Sequence, residues 1–301
     1  MKKRIIALGF FDGVHLGHGG LLRQARQRAD ELGGIAAAMT FDRHPGEIIS
    51  GKAMPLITSR KDREHLMRSL YGIDEVLFIH FNRAMMEMPW REFAEDCLLG
   101  DLQVCHVICG EDFRFGHRGE GTAALLAEFC REKQIGCDII GEIALDGVPV
   151  HSTLIRSLLE RGELEAAARY LGHPHCLSGT VISGKRLGRT IGIPTANIAV
   201  PHGVLPLPNG VYVTKVEADG QEYLAVTNVG NCPTVSEGAP LVVEPWLLDF
   251  SGDLYGKEIR ICFYQKLRDE KKFPSLEALQ AEIFRNAEQT RAYFNQKNDL
   301  S

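Results

Sequence analysis

The residues best suited to chemistry stand near the start of the chain, in Gly9-Phe10-Phe11-Asp12-Gly13-Val14-His15-Leu16-Gly17-His18. An apolar run, Ile5-Ile6-Ala7-Leu8, precedes them and reads as a short buried strand. Leu21, Leu22, Ala25, Ala29 and Leu32 follow at helical spacing. The segment is therefore a strand, a Gly-rich turn and a helix start, and a helix start presents unpaired N–H groups that suit phosphate. His15 and His18, three apart, face the same side of a helical first turn. Gly17 removes a side chain between them, where a ligand approaches the backbone. Two imidazole donors, a bare backbone and a helix terminus describe a site for a polyphosphate.

Further polar strings follow other strand-like runs. Asp42-Arg43-His44-Pro45 comes after 34–39, and Gly110-Glu111-Asp112-Phe113-Arg114-Phe115-Gly116 after 103–109. Each alone is an ordinary loop, but both fall at the carboxyl ends of strands, where open α/β sheets bind ligands. Val150-His151-Ser152-Thr153-Leu154-Ile155-Arg156 runs into a helix expected over 157–171, with Ser152 or Thr153 as its cap. It is a capping motif, or a second phosphate grip in which Arg156 supplies a fork of donors. In the second half, Gly184-Lys185-Arg186-Leu187-Gly188-Arg189 is flexible and basic enough to cover a phosphate. Thr195 and Asn197 project the same way from an extended segment and are hard oxygen donors suited to Mg²⁺. Without context this stretch is equally a Gly-rich hairpin. Glu244 sits in the apolar run 241–250 and is either on a solvent face or held for a purpose.

The first string resembles the HxGH signature of nucleotidyltransferases, and its longer form FDGVHxGHxxLL resembles the bifunctional riboflavin kinase/FMN adenylyltransferase (FAD synthetase) family. The strings at Thr40–Pro45, Gly110–Gly116 and 150–156 are similar to that family's TFxPHP, GxDFRFG and SSTxxR segments, with His151 where a Ser is usual. Residues 188–197 resemble the riboflavin kinase signature GRxxGxPTAN, so the likeness covers nearly the whole chain. It implies phosphorylation of riboflavin to FMN, then adenylylation of FMN to FAD with release of pyrophosphate. ATP serves both steps with Mg²⁺, and the small-molecule partners are riboflavin, FMN, FAD and ATP. It also implies that His15, His18, Arg156 and Glu244 carry the chemistry, with Glu244 as the kinase base. Gly9, Phe11, Asp12, Gly17, His44, Asp112, Ser152, Thr153, Gly184, Lys185, Arg189, Thr195 and Asn197 bind substrates, and Thr195 and Asn197 bind the metal. Two departures stand out. Pro245-Trp246 replaces the family's Val-His after Glu244, which raises the alternative of an adenylyltransferase with a weakened or inactive kinase half. Asn286 stands where Asp is frequent. The other rivals are a different nucleotidyltransferase and a flavin-binding sensor without catalysis.

Strands and helices alternate through the first half, which implies a mostly parallel sheet with helices on both faces. After Leu171 the pattern changes to short period-two runs separated by Gly, Pro and Asn, and a helix over 275–295. That predicts a small antiparallel β-barrel with a terminal helix. The expected division is 1–172 for adenylyl transfer and 173–301 for the kinase, in keeping with a length of 301 residues. A net charge of −5 argues against a nucleic-acid partner, and no run is long and apolar enough to span a membrane. The apolar stretch after the basic start is about six residues, short of a signal-peptide core, so the expected location is the cytosol. The eight cysteines include no CxxC pair, and all are expected to be reduced structural thiols.

Overall fold

The computed structural model describes residues 3–51, 54–182, 192–231 and 241–298. The chain divides into two compact units, 1–56 with 60–152 and 57–59 with 153–301. In the first, β1 (Arg4–Leu8), β2 (Ile35–Phe41), β3 (Glu75–Ile79), β4 (Val104–Gly110) and β5 (Gly136–Ile140) form a parallel sheet in the order β3-β2-β1-β4-β5. Its helices include α1 (Leu16–Leu32), α2 (Pro45–Ser50), α3 (Arg60–Tyr71) and α4 (Ala123–Glu132).

The period of two along each strand sorts the core into two faces. Ile5 and Ala7 of β1, with Ala36, Ala38 and Ile108, pack against Leu22, Ala25 and Ala29 of α1 and Leu66 and Met67 of α3. Ile6 and Leu8, with Ala37, Met39, Val107 and Cys109, pack against Leu126, Phe129 and Cys130 of α4. Each large side chain so buried contributes roughly 1.5–3 kcal/mol. The chain runs outward from β1 through β2 to β3, then returns to place β4 on the other side of β1. The order reverses there, so the ligand crevice lies beyond the carboxyl ends of β1 and β4. α1 stops at Gly33, whose left-handed backbone (φ 63°) brings its N–H to the Ala29 carbonyl.

The second unit holds β6 (His175–Thr180), β7 (Ile198–Ala199), β8 (Gly210–Ala218), β9 (Gln221–Asn231), β10 (Leu241–Leu247) and β11 (Glu258–Arg268), paired antiparallel in the order β6-β11-β8-β9-β10-β7. The two end strands meet. The Ile182 N–H donates to the Asn197 carbonyl at 2.8 Å, and a Cβ on Gly179 would lie 3.1 Å from Ile198. The result is a nearly closed barrel. Helix α7 (Leu276–Asn298) covers it, with Ala287 packed among Val211, Val226 and Leu248.

By compactness the second unit begins at Thr153. Two expectations change. The helix expected over 157–171 is two helices, α5 (Ser152–Glu160) and α6 (Leu164–Leu171), separated at Gly162 with φ 73°. Cys176 and Cys262 form a disulfide, which corrects the expectation of eight reduced thiols. They are directly opposite in the β6–β11 pair with Cα atoms 4.1 Å apart, the close spacing of a non-hydrogen-bonded antiparallel pair.

Because Phe129 fills one face of the parallel sheet, Phe129→Ala is expected to cost about 3–5 kcal/mol in the urea transition of the first unit. A loss below about 1 kcal/mol would mean that α4 does not close this core.

Candidate active sites

The turn after β1 has an unusual backbone. Phe11 (φ 56°), Gly13 (φ 79°) and Val14 (φ 44°) all lie in the left-handed region. Gly adopts it freely, whereas non-Gly residues there carry of order 1–3 kcal/mol each and tend to mark functional sites. Burial holds them: Phe11 and Val14 are in the core that α1 and α3 build, and the Val14 N–H donates to the Phe11 carbonyl at 3.1 Å. His15 then caps α1, its Nδ1 accepting the His18 N–H at 3.3 Å. That acceptor role puts the neutral ring's hydrogen on Nε2. The His18 ring stacks on His15 at 3.5 Å between centroids and takes Phe11 edge-on at 5.3 Å. Gly17 leaves space that the protein itself uses. A Cβ there would meet the His15 ring at 3.1 Å and the Val150 carbonyl at 3.2 Å. Gly9 likewise admits the Phe11 ring, 3.0 Å from where its Cβ would be.

Burial holds the His18 imidazole well below its ordinary range, and the neighbouring His15 and Arg63 add to the effect. His18 is therefore neutral. The same device recurs at α2, where His44 Nδ1 accepts the Gly46 N–H at 2.9 Å and the ring packs edge-on to Phe10. Beside it, Asp42 accepts from the Phe81 N–H and pairs with His80 Nδ1 at 2.6 Å. Burial alone would raise the Asp42 carboxyl, but His80 and that N–H hold it below the usual carboxylate range.

Ser152 is the first residue of α5, and its hydroxyl donates to the Asp12 carbonyl at 3.2 Å, tying the helix start to the turn. Thr153 and Arg156 lie three apart on the same helix, Thr153 exposed and Arg156 half-buried. Asp112 is exposed in the loop after β4, while Phe113 and Phe115 stack on each other against the apolar core. One cation escaped the sequence reading: Arg63, 1% exposed, on the same face of α3 as the core residues Leu66 and Met67. A lone charge within an apolar helical stripe was the available signal.

In the barrel, β7 pairs with β10 through Ile198 and Ala199 opposite Val243 and Val242, and the Ala196 N–H donates to the Pro245 carbonyl at 2.9 Å. That register continues so that Asn197 stands across from Glu244. On the other side Asn228 of β9 is paired directly with Glu244. Side chains at opposed positions share a face, and Thr195 joins Asn197 by the period of two. Asn197 is buried and Glu244 half-buried. Asn228 also donates to Glu270 at 3.3 Å, as does Asn209. Gly184, Lys185 and Arg189 lie outside the described residues.

The FAD synthetase family model matches residues 1–154, and the riboflavin kinase family model matches 171–294. The bifunctional riboflavin kinase/FMN adenylyltransferase of Listeria monocytogenes is 36% identical over 298 residues, covering 98% of this chain and 94% of that protein. The chain belongs to the bifunctional riboflavin kinase/FMN adenylyltransferase family. The member from Bacillus subtilis is 34% identical over 97% of this chain and 93% of its own. A solved structure described as a macrolide-efflux protein from Streptococcus pneumoniae matches with a TM-score of 0.83 at 27% identity, covering 96% of this chain and 94% of that one. Both domains of the bifunctional family are present, so an adenylyltransferase lacking kinase function is not the favoured reading.

Pro245 lies inside β10, and pairing with Thr227 runs through it without a register shift. Its carbonyl and its missing N–H both face Ala196, just outside the two-residue β7, so no bond to β9 is lost. Trp246 packs edge-on to Phe284 of α7 at 5.6 Å. Asn286 is buried and accepts from Arg268 Nε at 3.2 Å.

The neutral state of His18 has a stability consequence. An unfolded imidazole gains its proton near pH 6.5, while the folded one does so only well below that. Below about pH 6.5 the unfolded chain binds the extra proton, so stability falls with pH, by ~1.4 kcal/mol per unit until the folded pKa is reached. Urea unfolding of the first unit at pH 7.5 and 5.5 is expected to show this loss, and His18→Gln to reduce it. Equal losses in both proteins would mean that His18 is not buried neutral.

Proposed function

We propose that the two reactions of the family are divided between two chemically different sites in this chain, with adenylyl transfer assigned to 1–172 and the kinase to 173–301. Riboflavin offers a primary alcohol, which is protonated at neutral pH and gains from a positioned base. In this reading Glu244 takes that proton as the alcohol oxygen attacks the γ-phosphorus of ATP and ADP leaves. General acid–base help of this kind is worth about 10²–10⁴-fold. The observation that carries the reading is the placement of Glu244 between Asn197 and Asn228 on one face of the barrel. Thr195 and Asn197 offer hard oxygens and would hold Mg²⁺, which supplies charge neutralisation at the phosphates.

FMN already carries an anionic phosphate, so its attack on the α-phosphorus of ATP needs no base. It needs an in-line approach and donors aimed at the charge that gathers on the phosphates. His15, with its hydrogen fixed on Nε2, and His18 provide N–H donors without changing protonation state. Thr153 and Arg156, one helical turn apart, supply a hydroxyl and a guanidinium fork for phosphate oxygens. Asp112 and His44, at the carboxyl ends of their strands, complete the substrate-binding set.

Chromatography of products from riboflavin, ATP and Mg²⁺ tests this division. The native chain is expected to yield FAD. His18→Ala is expected to accumulate FMN, with FAD formation lowered by at least tenfold. Glu244→Gln is expected to lose about 10²–10⁴-fold in FMN formation yet still convert supplied FMN to FAD. FMN formation at the native rate in Glu244→Gln would remove the base from the scheme.

A further inference from the structure

Arg63 reaches from α3 into the segments that carry the His15–His18 turn and the His44 loop, and it is 1% exposed. Its Nη1 donates to the Phe10 carbonyl at 3.1 Å, to Thr40 Oγ1 at 3.1 Å and to the Phe41 carbonyl at 3.2 Å. Thr40 Oγ1 itself donates to the Phe10 carbonyl at 2.6 Å, closing a small network between the turn after β1 and the end of β2. The guanidinium lies 4.5 Å from the centre of the Phe10 ring, and its Nε–H is buried with no partner. All three acceptors are neutral. A guanidinium does not shed its proton to escape such a place, so the charge stays and is poorly compensated.

The titratable groups around the turn are Asp12, His15 and His18, with His44 on the neighbouring loop and Tyr71 further along α3. His15 and His44 each accept a main-chain N–H at Nδ1, and burial holds His18 neutral, so none of them is placed to bring a positive charge to the turn. Asp12 acts on Arg63 through space and is negative. A polyphosphate arriving here needs cations, and Arg63 adds a fixed positive charge to the one already assigned to Arg156.

We propose that Arg63 is a positioning residue for nucleotidyl transfer: it fixes the spacing of the two substrate loops, and its buried charge is a counter-charge that a bound polyphosphate neutralises. The proposal rests on the adenylyl-transfer reading above. Desolvation makes the charge act at longer range than it would in water. It also explains why a cation occupies a core position where Leu or Met would pack at lower cost.

The test uses the full chain, run in reverse from FAD and inorganic pyrophosphate, with riboflavin phosphorylation as an internal control. Arg63→Met is expected to raise the KM for pyrophosphate at least tenfold, to raise the KM for FAD by less, and to leave the kinase step unchanged. Arg63→Lys keeps the charge and is expected to recover the pyrophosphate KM to within about fivefold of the native value, with kcat still lowered because an ammonium lacks the planar guanidinium that lies over Phe10. A pyrophosphate KM in Arg63→Met within twofold of native overturns the proposal. So does an Arg63→Lys protein that is folded and as impaired as Arg63→Met, since packing alone then accounts for the residue. If Arg63→Met does not fold, Arg63→Lys decides by the same KM criterion. A native chain that makes no FAD from FMN and ATP would instead remove the underlying reading, so the two failures are distinguishable.

Discussion

The constraint on which the first unit depends is the double burial of β1. It pairs with a parallel neighbour on each edge and is covered on each face, so Ile5, Ile6, Ala7 and Leu8 have no surface to offer. The chain can meet a ligand only where the strand ends. There it turns through Phe11, Gly13 and Val14 in a conformation that isolated residues avoid, held because Phe11 and Val14 are anchored in the same core. The backbone strain of the turn is thus sustained by the sheet behind it, and the histidines inherit fixed positions from both.

The two halves solve different electrostatic problems. In the first, two imidazoles are stacked, one oriented by a main-chain N–H and the other kept neutral by burial, an arrangement that donates hydrogen bonds without competing for protons. In the second, a carboxylate stands among amides on one face of a barrel strand. A base must be able to change its protonation state, whereas a phosphate grip works best when it does not. The side-chain chemistry found in each half follows that difference.

Much of this was legible in the sequence, and the limits have physical causes. The apolar run 5–8 and its Gly-rich successor announced a buried strand and a ligand turn because such strands lack alternation. The period-two runs after 175 announced the barrel. The break at Gly162 was missed because the residues on both sides are strong helix formers, and one glycine decided the matter. The disulfide was missed because 86 residues separate its cysteines and only strand register brings them together. Arg63 was passed over because a cation on a short amphipathic helix ordinarily points to water.

Pro245 determines how tightly the barrel seam can knit. Its nitrogen faces Ala196, so of the two bonds that an opposed pair can exchange there only one, from the Ala196 N–H to the Pro245 carbonyl, is made. The rung next to Glu244 is therefore fastened from one side alone.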